Sequence, residues 1–183
     1  MSQRAFQTPA ELAAWLAESG IDMAGWGAGP LKGLADLWAE YTSGETTFQD
    51  QPPTRLIEVA KTIIRHGDAV LIEIEQEFAD GRRRARLVPP SEKLKAGETP
   101  RNAALRCLCE ELGLGEANLK VNEEPEVTEG VADSPSYPGL RTRYRFFTFE
   151  ASTDALPNED FYRDNAAPGD PIRRHRWGWR KEI

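Results

Sequence analysis

The sequence predicts an α/β domain, strands set around one long helix, preceded by a helical extension. Three observations carry this. Residues 1–50 hold two apolar stripes at helical spacing. Residues 69–88 hold two strand-like segments joined by Asp80-Gly81, a hairpin signal. Residues 100–112 form an amphipathic segment with its own start and stop signals.

Taken in order, Thr8-Pro9-Ala10-Glu11 starts a helix. The threonine caps, the proline suits the first turn, and the glutamate completes a capping box. Leu12, Trp15 and Leu16 form its apolar stripe, and Gly20 stops it. Residues 20–30, rich in glycine, read as a loop. Leu34, Leu37, Trp38 and Tyr41 predict a second helix with its apolar face packed on the main domain. Gln51-Pro52-Pro53 marks a boundary: residues 1–50 are the helical N-terminal extension and residues 51–183 the main domain. Residues 55–65 predict a strand. Residues 69–78 predict a second, with Val70, Ile72 and Ile74 alternating against Leu71, Glu73 and Glu75, and residues 82–88 a third. A polar loop is expected over 91–99, then the helix over 100–112, ended near Gly113. A strand follows around 119–127, a long loop over 128–139 and a strand over 140–149. Residues 151–171, polar and rich in proline, are expected to be a loop with one helical turn. Residues 173–180, with Trp177 and Trp179 two apart, predict the last strand.

Composition bounds the function classes. The 183 residues are 39% hydrophobic and 29% charged, enough for a real core. A formal net charge of −7 argues against general nucleic-acid binding or attraction to an anionic membrane. Arginine is nevertheless clustered, at Arg82, Arg83, Arg84 and Arg86, at Arg141, Arg143 and Arg145, and at Arg173, Arg174, Arg176 and Arg180. Such clusters are solvated strand faces, or two of them converge on one anionic ligand. Cys107 and Cys109 are two residues apart in a helix and point to different sides, so they do not bridge. Two thiols without a disulfide framework suit a reducing cytoplasm. With only His66 and His175 elsewhere, they make no zinc signature. No apolar run resembles a signal peptide or spans a bilayer.

The chemistry lies between residues 92 and 114. At about 100° per residue, Leu105, Leu108, Cys109 and Leu112 share one helix face, expected to be the core face. Ala103, Cys107, Glu110 and Glu111 share the opposite face, with Cys107 between the two glutamates in projection. Adjacent carboxylates repel unless a cation screens them, and a hard cation such as Mg²⁺ with substrate phosphate is one answer. Taken alone, paired glutamates are as readily a solvated helix surface, with Arg106 supporting Glu110 at i, i+4.

The segment as a whole resembles the Nudix box, G-x5-E-x7-R-E-U-x-E-E-x-G-U, where U is bulky and apolar. Glu98, Arg106, Leu108, Glu110, Glu111, Gly113 and Leu114 match, seven of nine fixed positions. Two positions depart: Glu92 stands where the pattern has glycine, and Cys107 where it has the glutamate after arginine. The stretch from Ser134 to Tyr144, with Arg82-Arg83-Arg84 and Ser91-Glu92-Lys93, resembles one group of Nudix-like proteins, to which these departures would then belong.

The resemblance covers about residues 55–183 and implies an α/β/α sandwich with a mixed sheet. It also implies a hydrolase of a nucleoside diphosphate linked to another group, or of a related pyrophosphate, using Mg²⁺ or Mn²⁺. Glu110 and Glu111 would hold the metal, with Glu98 as a further ligand or acting through a water. Arg106 would orient a carboxylate, and Arg141 or Arg143 would grip phosphate. Residues 128–139 and 151–171 would set substrate choice. Cys107 supplies no oxygen ligand, which weakens metal binding, and Glu92 could return a carboxylate from the loop. On an exposed face, Cys107→Glu is expected to be tolerated and to restore a three-carboxylate cluster. The rival reading is a binding module that holds a phosphorylated ligand or a protein partner without turnover. A redox role for Cys107 is disfavoured, because neighbouring glutamates oppose the thiolate.

Overall fold

The structure, a computed structural model, describes residues 3–29 and 31–181. The elements run β1 (Gln3–Arg4), α1 (Pro9–Glu18), α2 (Leu34–Thr42), β2 (Thr47–Gln49), β3 (Thr54–His66), β4 (Ala69–Phe78), β5 (Arg83–Val88) and β6 (Ser91–Lys93). They continue with α3 (Pro100–Leu112), a 3₁₀ turn (Glu116–Asn118), β7 (Lys120–Val121), β8 (Glu126–Asp133), β9 (Arg141–Ser152), β10 (Phe161–Asp164) and β11 (Ile172–Lys181). This is the expected class, helices with a large antiparallel sheet. No described helix is long and apolar enough to cross a membrane.

The chain forms two compact units. The first takes Met1–Val59, Lys93–Gly97 and Thr128–Phe146, and the second Ala60–Glu92, Glu98–Val127 and Phe147–Ile183. In the first, Thr8 caps α1 by accepting from the Glu11 N–H at 3.2 Å, while the Glu11 carboxylate takes the Gln7 N–H at 2.8 Å. This satisfies orphan donors at the helix start. The stripe Leu12, Trp15 and Leu16 then meets Phe6, Leu37, Phe48, Tyr137 and Leu140 in one buried core. Antiparallel pairs β1–β2 and β2–β3 border it.

Beside that core lies a buried ionic centre. Glu40 is paired with Arg55, with Lys32 at 2.6 Å and with Lys93 at 2.7 Å. Arg55 also donates to Thr46 at 3.1 Å and lies over the Tyr137 ring. Burial pushes the Glu40 carboxyl up, but Lys93, Arg55 and Lys32 outweigh it and hold it down at about 2. Gly44, at φ +78°, ends the α2 turn against residue 96, where an added Cβ would stand 2.5 Å from the Ala96 Cβ. The Ala96 N–H donates to the Ser43 carbonyl. So the loop between Glu92 and Glu98 is seated on the end of α2.

In the second unit, β4 pairs antiparallel with β11 and with β5, and β11 with β10. Ile64, Leu71, Leu108, Leu112, Leu114, Ala151, Leu156 and Trp177 form its core. Three stretches expected as loops contain strands. β6 lies in 91–99, β8 runs into 128–139, and β10 replaces the helical turn expected in 151–171. The strand expected around 119–127 is divided between β7 and β8. All of β8 and most of β10 are exposed, so no alternation of burial marks them in sequence. Backbone pairing with β9 and β11 makes them strands.

Candidate active site

Helix α3 is set by its ends. Thr99 accepts from the Asn102 N–H at 3.2 Å, Pro100 opens the first turn, and Gly113 closes the helix left-handed at φ 68°. Its orientation corrects the sequence reading. Ala103, Ala104, Cys107, Leu108 and Leu112 are buried, Leu105 is half-buried, and Cys109 is exposed. The buried arc is turned by about a quarter-turn from the leucine stripe, so that Glu111 lies near its middle. Alanines and a cysteine allow close packing there, which side-chain hydrophobicity alone does not signal. Cys107, expected opposite the core, is therefore 1% exposed. Burial pushes its thiol well above the ordinary range, and Glu111, Glu92 and Glu73 push it further.

On the outer side of the helix, Arg106 gathers three carboxylates. It binds both oxygens of Glu98 at 2.9 Å and reaches Glu92 at 3.4 Å and Glu110 at 3.5 Å. The guanidinium is a planar fork, and Glu98 takes it in the two-pronged geometry that fixes a carboxylate in place. The hydrogen bonds that Arg106 donates to Glu98 raise the Arg106 pKa further above its usual value. Glu92, the departure at the glycine position, is thus tied to the arginine of the box, and its charge is felt at Glu111.

On the inner side, Glu111 meets two residues not singled out as site residues, Glu73 and His175. His175 Nδ1 lies 2.6 Å from Glu73 and 4.0 Å from Glu111. Donor atoms of all three lie within 4.8 Å of one another. The Glu111 carboxyl is pushed up to about 9, first by burial and then by Glu73 and Glu92, with Arg86 opposing. Glu73 is held low instead. Burial raises it, but the His175 hydrogen bond and Arg86, 3.2 Å away, more than compensate.

The backbone shows how Glu73 comes to be buried. Along β4–β11 the register shifts between Arg176 and Trp177, opposite Glu75 and Glu73, and along β4–β5 it shifts between Glu73 and Glu75. Both ladders therefore break at the same place. Bulges re-aim side chains, and here the break accompanies the inward turn of Glu73. The bulged strand β5 places Arg86 against Glu73 and carries Leu87 at φ 55°, the one non-glycine with positive φ among the described residues. The sequence held one usable signal for His175. Trp177 and Trp179 mark an apolar face on β11, and position 175 has the same parity. Glu73, between isoleucines on an alternating strand, carries no sequence signal for burial.

The remaining predicted residues are placed as follows. Arg141 is exposed and Arg143 half-buried on β9, in the first unit, and no described carboxylate pairs with either. The other two arginine clusters are largely neutralised within the chain. Arg83, Arg173 and Arg174 converge on Glu77, and Arg176 and Arg180 on Asp160. In the loop before β11, the Ala166 N–H donates to the Glu110 carbonyl at 2.9 Å, which ties that loop to α3.

No curated protein matches the sequence. Among solved structures the chain is similar to a NUDIX hydrolase from Nitrosomonas europaea, at 19% identity over 66% of this chain and 71% of that one, with a TM-score of 0.41. It is also similar to an Ap4A hydrolase from C. elegans, at 17% identity over 69% and 80% of the two chains, TM-score 0.39. A third is a mutator MutT protein from Bacillus halodurans, at 20% identity over 64% and 67%, TM-score 0.35. The sequence model of the NUDIX domain matches residues 59–177, well over half of the chain. That segment carries Glu73, Glu92, Glu98, Arg106, Glu110, Glu111 and His175 alike, and on that match the chain belongs to the Nudix family.

Proposed function

We propose that the chain is a metal-dependent hydrolase of a nucleoside diphosphate linked to another group, or of a related pyrophosphate. One observation carries this reading: Glu111, half-buried with its side chain 14% exposed, lies beside a buried carboxylate, Glu73, and no lysine or arginine pairs with it among the described residues. A carboxyl group raised in this way gives up its proton when a cation binds beside it, and such perturbed groups gather at functional sites. The donor set Glu73, Glu111 and His175 fits a divalent cation, and Glu98 and Glu110, held by Arg106, are the further ligands that the box implies. A divalent cation there would neutralise charge on the phosphate oxygens. Arg106 holds Glu98 with both oxygens fixed, so that this carboxylate can orient a water or accept its proton. Arg141 and Arg143, with no carboxylate partner among the described residues, are the proposed phosphate contacts.

The buried neutral thiol of Cys107 favours a second reading, a module that binds a phosphorylated ligand without turnover. The test is a screen of nucleotide sugars, dinucleotides and nucleoside triphosphates with Mg²⁺ and with Mn²⁺. Turnover that falls at least about a hundredfold in Glu111→Gln, as loss of a metal ligand should cause, is the expected result. Ligand binding without turnover of any substrate would replace the enzyme reading with the module. Alanine at Arg141 or Arg143 should weaken ligand affinity while leaving the unfolding curve unchanged.

A further inference from the structure

We propose that Glu73, Glu111 and His175 form a cation site in which the imidazole supplies a donor in place of the carboxylate missing at Cys107, so that the site takes a first-row transition ion such as Mn²⁺ in preference to Mg²⁺. The proposal deepens the hydrolase reading and rests on it, since Glu111 belongs to both. The three donors come from β4, α3 and β11 and already lie within 4.8 Å of one another. The imidazole is wholly buried and directed at the two carboxylates, at 2.6 and 4.0 Å through Nδ1. Among the described residues its Nε2 has no hydrogen-bond partner. With Nδ1 toward the carboxylates, the neutral ring protonated at Nε2 can offer its Nδ1 lone pair to an ion.

Placement of the donors is a property of the fold. The ladders of β4 with β5 and with β11 change register at Glu73, and the alanine-rich face of α3 brings Glu111 inward to meet it. At the position where the box has its glutamate, Cys107 is buried on the same arc and offers no oxygen. The chain thus lacks a carboxylate at that box position and holds a carboxylate and an imidazole beside Glu111. Donor chemistry then decides the ion. Mg²⁺ takes oxygen ligands and dehydrates reluctantly, whereas imidazole suits the later divalent ions.

The test is electron paramagnetic resonance of the wild-type protein titrated with Mn²⁺, with spin-echo detection of nitrogen coupling. The expected result is one tightly bound Mn²⁺ coupled to a directly bound ¹⁴N. His175→Gln should abolish that coupling and weaken Mn²⁺ at least tenfold, and leave Mg²⁺ affinity, measured by calorimetry, within about twofold. Glu73→Gln should weaken Mn²⁺ while keeping the nitrogen coupling. The wild-type spectrum needs no variant to fold. Bound Mn²⁺ without nitrogen coupling, no bound Mn²⁺, or equal losses of Mg²⁺ and Mn²⁺ in His175→Gln would each overturn the site. Hydrolysis with Mg²⁺ in the same preparation separates the two readings. Turnover without nitrogen coupling leaves the hydrolase standing and removes this site. Nitrogen-coupled Mn²⁺ without any turnover keeps the site and removes the hydrolase.

Discussion

Cys107 shows how much one residue's setting changes its meaning. On an exposed helix face, glutamate there would be harmless. Buried at 1% exposure, beside Glu111, Glu92 and Glu73, it would add an unpaired charge to an acidic interior. Cys107→Glu should therefore destabilise the metal-free protein by about 3 kcal/mol or more. Cys107→Ala, which only leaves a small void, should cost about 1–2 kcal/mol. Urea unfolding with and without Mn²⁺ measures both. All three proteins should gain stability as the ion is added, and the glutamate variant most, because the ion binds the folded state and also screens the added charge. A Cys107→Glu protein as stable as wild type without metal would mean that the site is open to water.

At the scale of elements, the double register break at Glu73 is what turns an ordinary alternating strand into a carrier of site residues. The break has a visible cost in Leu87, which adopts φ 55° and is 67% exposed. A left-handed backbone costs an L-residue about 1–2 kcal/mol, and glycine avoids that while losing about 0.5–1 kcal/mol of chain entropy. Leu87→Gly should thus be neutral or stabilising by up to about 1 kcal/mol, unlike most glycine substitutions in strands. Thermal unfolding of that variant is the measurement. A clear loss of stability would show that the leucine side chain, not the bulge, holds β5 in place.

For the whole molecule, the first unit has its own charged centre, and its response to acid follows from Glu40. The folded carboxyl sits at about 2, below its ordinary value of 4.5, so between these values the unfolded chain binds more protons. The contribution is complete above about pH 4.5 and is lost as pH falls toward 2, an effect on the order of 3 kcal/mol at full size. Urea unfolding from pH 6 to 2 should show this loss. In Glu40→Gln the acid-dependent part should shrink, and stability at neutral pH should fall because Arg55, Lys32 and Lys93 lose their shared partner. An acid limb unchanged in that variant would assign the pH dependence to other carboxylates.

The sequence by itself determined what is local. Capping at Thr8 and Thr99, the stop at Gly113, the strands around 55–65, 69–78 and 173–180, and the box from Glu98 to Leu114 are readable because each depends on neighbours a few residues away. Arg106 as the organiser of a carboxylate follows from the resemblance, and the helix brings Glu110 to it at i, i+4. Only the tertiary structure decided which face of α3 is buried, because small residues there let a neighbour approach and a leucine stripe does not define the closest contact. It also decided that Glu73 and His175, 102 residues apart, meet at Glu111. That encounter depends on register breaks between strands, which backbone pairing sets and single-residue chemistry does not encode.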